Sequence, residues 1–107
     1  MYIAVHVQTV QSNLDLIVVS GHADDQEETD VYRLVCAEVS AVSVGILNSI
    51  DELCPDSCEF EMDDGFVSIK VRKSSEMLQT ILKTFVIQLD TIEYTNKNYV
   101  KIEKVEV

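Results

Sequence analysis

"VYRLVCAEVSAVSVGILNSIDELCP", residues 31–55, decides the fold. Val31, Val35, Val39, Val42, Ile46, Ile50 and Leu53 recur every three or four residues, the period of a helix with one buried face. Ala37, Ala41 and Gly45 permit close packing beside that stripe. Thr29 or Asp30 supplies the cap and Pro55 stops the helix, since proline has no amide hydrogen to continue it. Such a stripe needs a second layer to cover it, and the flanking segments identify that layer.

Upstream, residues 2–10 alternate, with Ile3, Val5 and Val7 on one side and Ala4, His6 and Gln8 on the other, as a half-buried strand does. Gln11, Ser12 and Asn13 turn the chain, and residues 14–20, LDLIVVS, return as a second strand. The pair ends at Gly21. From Asp24 to Asp30 five of seven residues are acidic and no period is present, so this stretch reads as an exposed loop. Downstream, Phe60 and Met62 alternate with Glu59 and Glu61, Asp64-Gly65 signals a hairpin, and Phe66 to Arg72 is the returning strand. Ser74 or Ser75 caps a second helix with the stripe Met77, Leu78, Ile81, Leu82, Phe85, Val86, Leu89 and Ile92, and Tyr99 to Val107 closes the chain as a strand. The order is ββαββαβ. Two helices packed on a mainly antiparallel sheet satisfy it, giving one α+β domain over residues 1–107.

Charge and composition narrow the function. Nineteen acidic against eight basic residues give a net charge of −11, which repels phosphate backbones and anionic membranes. Direct nucleic-acid binding and membrane association are therefore not expected, and a cationic protein partner suits the surface. The start MYIAVHVQTV has no basic segment followed by an apolar run, and three cysteines are too few and too odd for a disulfide framework. A cytoplasmic protein with reduced thiols is expected. Cys54 and Cys58, spaced CPDSC, have no second ligand pair nearby and read as packing, so no metal or other cofactor is expected. His6 falls on the polar face of its strand and reads as solvated.

The remaining chemistry rests on Cys36 and His22. A helix start concentrates unpaired amide donors and partial positive charge, which favour thiolate over thiol. A nearby imidazolium does the same, and His22, on the loop fourteen residues upstream, can fold back to that place. The residues alone leave a second reading open, a small core cysteine and a solvated histidine.

Ser20-Gly21-His22-Ala23, the acidic loop, and Leu34-Val35-Cys36-Ala37-Glu38-Val39-Ser40-Ala41 together resemble the signature of the bacterial ribosomal-processing cysteine proteases. The resemblance extends over the whole chain in order and length, with its specific residues in this segment. It implies a cytoplasmic homodimer that removes the N-terminal extension of a basic ribosomal protein precursor, the large-subunit protein L twenty-seven, cutting after an aromatic residue ahead of a lysine-rich mature part. It makes Cys36 the nucleophile and His22 the general base, with backbone amides near the start of the Cys36 helix as oxyanion donors.

Two departures bear on the site. Arg33 stands three positions before the cysteine, where the family has an acidic residue, and the loop between the motifs is acid-rich and about two residues longer than usual. Asp30 is then the first choice for the orienting acid, with Asp24 or Asp25 behind it. Asp24, Asp25, Glu27 and Glu28 form a candidate substrate loop for a cationic peptide. The rival reading is a non-catalytic acidic binding module for a basic ribosomal segment, and a third is a thiol enzyme with another substrate.

Overall fold

The computed structural model describes residues 2–21 and 30–107. The expected order is present: β1 (Ile3–Val10), β2 (Asn13–Ser20), α1 (Asp30–Leu53), β3 (Cys58–Asp63), β4 (Phe66–Val71), α2 (Glu76–Thr95) and β5 (Val100–Glu106). The strands form one sheet in the order β3-β4-β2-β1-β5. All neighbours are antiparallel except β5, which lies parallel to β1 with Ile3 opposite Val100 and Val5 opposite Ile102.

Alternation within each strand separates two faces. Val5 pairs with Val19, Val7 with Ile17 and Ile17 with Ile69, so these side chains share one face, and that face joins both helices in a single apolar core. From α1 the core takes Tyr32, Val35, Val39, Ile46 and Ile50, and from α2 it takes Leu78, Leu82, Phe85 and Leu89. By length and composition α1 would pass as a membrane-crossing helix, but this inward row is packed against the sheet.

Both hairpins form where the sequence places them. Asp64 and Gly65 join β3 to β4, with Gly65 at φ +68°. Gln11 and Ser12, at φ +52° and +70°, form the two-residue turn between Val10 and Asn13. These left-handed conformations match the twist of a tight hairpin. Asn13 belongs to β2 rather than to the turn. Ser75 is the cap of α2, its Oγ accepting from the Leu78 amide at 3.1 Å. Thr29, the alternative cap of α1, lies outside the described residues.

Several expected core positions are corrected. Val31, Leu53 and Met77 are exposed, because they fall in the first or last turn of their helices. Ala37, Ala41 and Gly45 face outward, and a Cβ built on Gly45 meets nothing within 4 Å. Phe60 and Met62 share the helix-side face, opposite Ile69 and Val67, yet both are exposed because β3 is an outer strand. Conversely Gln79, a polar residue between two apolar turns of α2, is buried. Its Nε2 donates to the Leu14 carbonyl (2.9 Å) and its Oε1 accepts from the Leu14 amide (2.8 Å). Leu14 sits where the β1–β2 register slips, so Gln79 satisfies backbone groups that the ladder leaves unpaired.

At the end of β2 the backbone of β1 comes so close that only glycine fits. Gly21 has φ +136°, and a Cβ there would lie 2.7 Å from the Tyr2 carbonyl oxygen and 2.8 Å from Ile3 Cα. Its amide also donates to the Gly65 carbonyl at 3.0 Å, tying the exit of β2 to the β3–β4 turn. Gly21→Ala is expected to lower the urea midpoint of unfolding by the equivalent of about 2 kcal/mol or more, through strain and collision together. Gly45→Ala, where the added methyl meets open space within a helix, is expected to raise it by up to about 1 kcal/mol.

Candidate active site

α1 is set on the sheet by Val35, Val39, Ile46 and Ile50, and that rotation decides where Cys36 points. The residue after Val35 lies about 100° further round the helix, so Cys36 leaves the core at the rim and is partly exposed rather than sealed. It opens on a groove of about 500 Å³ between α1 and the β3–β4 hairpin. Cys36, Ser40 and Val44 line the helix side, Val19 and Val67 the floor, and Met62, Asp63 and Asp64 the hairpin side. The charged residues of this lining are all acidic.

Gly21 lines the same groove as Cys36. His22 is therefore covalently attached to a residue of the groove wall, although His22 itself, with Asp24, Asp25, Glu27 and Glu28, lies outside the described residues. Asp30 is described: it opens α1, is exposed, and stands six residues before Cys36, about 9 Å along the helix axis. α1 itself does not bring the two together. Arg33 is one turn before Cys36, at the spacing that makes neighbours on a helix surface.

The helix start acts on Cys36 less directly than the sequence suggests. α1 opens at Asp30, so residues 30–33 make its first turn and Cys36 lies in the second. The attraction of a helix terminus for negative charge falls off within the first turn. An anionic sulfur here depends more on a neighbouring cation than on the helix.

The other thiols are differently placed. Cys58 is buried at the start of β3, and its thiol is pushed up from the usual range by burial, with the Ser57 hydroxyl (3.8 Å) acting against the shift and Cys54 adding to it. Cys54 packs partly buried against the core. Among the described residues no group of three or more His, Cys, Asp or Glu side chains is arranged to hold a metal ion. His6 lies on the sheet face opposite the helices, as expected, with its Nδ1 3.0 Å from Glu103 Oε1 across the β1–β5 pair.

Met62, Ser40 and Ser43 are groove residues that sequence reasoning missed. The available signal was two hydroxyls, Ser40 and Ser43, in a helix otherwise apolar on that side.

Comparison with known proteins identifies the family and the fold. A family model described as cysteine protease Prp matches residues 2–101, and the chain belongs to that family. The ribosomal processing cysteine protease Prp of Staphylococcus aureus (strain NCTC 8325 / PS 47) is 32% identical over 80 residues, covering 72% of this chain and 74% of that protein. A crystal structure of an essential ribosomal processing protease Prp from S. aureus in complex with a substrate peptide is similar over 95% of this chain and 98% of its own, with TM-score 0.87 and 25% identity. A second, with a covalently linked product peptide, has TM-score 0.82 and 27% identity over 95% of this chain and 98% of its own. SMU.848 from Streptococcus mutans shares the fold, with TM-score 0.87 and 22% identity over 99% and 96% of the two chains.

The placement of the three thiols gives an order of reactivity. With iodoacetamide at neutral pH, followed by peptide mass mapping, Cys36 is expected to be alkylated first and Cys58 last. Labelling of Cys58 is expected to need a pH above the ordinary thiol range, because burial keeps its proton on.

Proposed function

We propose that this chain is a cysteine endopeptidase that removes the N-terminal extension of a basic large-subunit ribosomal protein precursor, L twenty-seven, in the cytoplasm, with Cys36 as nucleophile and His22 as general base. The observation that carries the reading is the opening of Cys36 onto an apolar groove whose charged rim residues, Asp63 and Asp64, are acidic and whose wall includes Gly21, the residue before His22. An apolar floor suits the aromatic residue before the cut, and an acidic rim suits the lysine-rich segment after it.

The Cys36 thiolate attacks the scissile carbonyl carbon, and the carbonyl π electrons move to oxygen. Collapse of that oxyanion expels the amine, which takes a proton from the His22 imidazolium and leaves a thioester. Water, losing a proton to neutral His22, then attacks the thioester and releases the carboxylic acid with Cys36 regenerated. The oxyanion donors come from outside the interior of α1, since the amide of a second-turn residue is already bonded within the helix. Asp30 remains the first choice to orient His22, reaching it from the opening of α1, with Asp24 or Asp25 as substitutes within a loop that also includes Glu27 and Glu28 and meets the cationic substrate. The covalently linked product peptide of the S. aureus relative supports a covalent route of this kind.

The active form is a homodimer. Leu34, Ala37, Ala41 and Val44 follow one another at intervals of three and four along the outward side of α1, and Leu34 is 65% exposed. An apolar row with small residues at this spacing matches the seam of two packed helices. In size-exclusion chromatography with light scattering the parent is expected at twice the chain mass of 12.0 kDa. Leu34→Asp is expected to return it to the chain mass.

A peptide spanning an aromatic-to-lysine-rich junction, incubated with the protein and read by mass spectrometry, tests the chemistry. The parent is expected to cut once, after the aromatic residue, and Cys36→Ala and His22→Ala are each expected to lower the rate by about 10³-fold or more. Binding of the peptide without cutting by the parent would decide for the acidic binding module. Alkylation of an acidic Cys36 thiol with no turnover of this peptide would point to a thiol enzyme with another substrate.

A further inference from the structure

Ser43 is 1% exposed, and its Oγ is buried with no hydrogen-bond partner among the described residues. Even at exposed positions, several helix hydroxyls among the described residues bond backward. Ser49 donates to the Gly45 carbonyl, Thr80 to Glu76, Thr84 to Thr80 and Thr91 to Ile87, at 2.8 to 3.0 Å. Ser43 has the same option four residues back, at Val39, and does not take it. A buried hydroxyl left unpaired is costly, so its orientation calls for a partner from elsewhere.

Ser43 borders the groove, which it lines together with Val19, Val39, Met62 and Val67. These neighbours are apolar, and Met62, 62% exposed on an unbranched thioether stem, is the wall most easily moved aside. A peptide backbone passing over the groove cannot approach a residue this deep. A side chain reaching down from it can, with an apolar body against the valines and a hydrogen-bonding tip at Ser43 Oγ.

Resting on the protease reading, we propose that Ser43 is a specificity-determining residue that hydrogen-bonds the tip of a substrate side chain, of which a tyrosine phenol is the plain case. The position of that side chain follows from the helix. Ser43 is seven residues after Cys36, about 10 Å along the axis, and an extended peptide covers that distance in about three residues. The side chain belongs to the third residue from the scissile bond.

Equilibrium binding tests this without requiring catalysis. Peptides that differ only by phenylalanine or tyrosine at the third residue from the junction, on each side in turn, are titrated into Cys36→Ala and into Cys36→Ala with Ser43→Ala. Tyrosine is expected to bind about tenfold more tightly than phenylalanine at one of the two positions, and the difference is expected to vanish when Ser43 is replaced. Ser43→Ala alone is expected to keep or raise the melting temperature, since it removes an unpaired buried group. Equal binding of the two residues at both positions, survival of the preference without Ser43, no binding of any peptide, or a marked loss of stability in Ser43→Ala would each overturn the assignment. Cleavage is measured separately on the chain that retains Cys36. Cutting without the tyrosine preference defeats the Ser43 assignment alone, and a Ser43-dependent preference without cutting defeats the protease reading alone.

Discussion

The rotation of α1 on the sheet is the constraint from which the site follows. Val35, Val39, Ile46 and Ile50 are buried in the core that α1 shares with the sheet and α2, and a helix pinned along one row has no freedom to turn about its axis. Cys36 is thereby held at the rim, Ser43 at the inner edge of the groove, and Leu34 outward. One 24-residue element thus serves a core, a cleft and an external surface. A shift of one residue in its seating would carry the sulfur into the core or out into solvent.

The opposite wall is held by a different means. Gly21 fits against β1 only because it has no side chain, and its amide bonds to Gly65 at the β3–β4 turn. The last described residue before His22 and the acidic tip at Asp63 and Asp64 are therefore fixed to each other through backbone, independent of any side chain. In the motif Ser20-Gly21-His22 the glycine has a structural reason of its own, which makes it as necessary to the site as the residues that carry chemistry.

Much of this was legible in the chain. The period of two in residues 2–10, the Asp64-Gly65 turn, the Ser75 cap and the stripe through Leu78, Leu82, Phe85 and Leu89 each state one local preference that the whole fold also satisfies. What the pattern could not resolve was a helix apolar nearly all round. In α1, Val31 and Leu53 look as buried as Val35, because hydropathy does not say which apolar positions meet the core. Gln79 is a polar residue held inside by a partner distant in sequence, the Leu14 backbone, and Ser43 is one that lines the groove without a partner, and no local rule selects either. The parallel pairing of β5 with β1 is likewise a property of the assembled sheet. Cys36 and Gly21, by contrast, were marked by their motifs and prove to share one groove.

That parallel pairing also has a consequence for how the molecule comes into being. Ile3 and its sheet partner Val100 lie 97 positions apart, so this seam cannot form until both ends of that long stretch are available to pair. Until then the outer side of β1 is a bare edge able to pair with other extended chains.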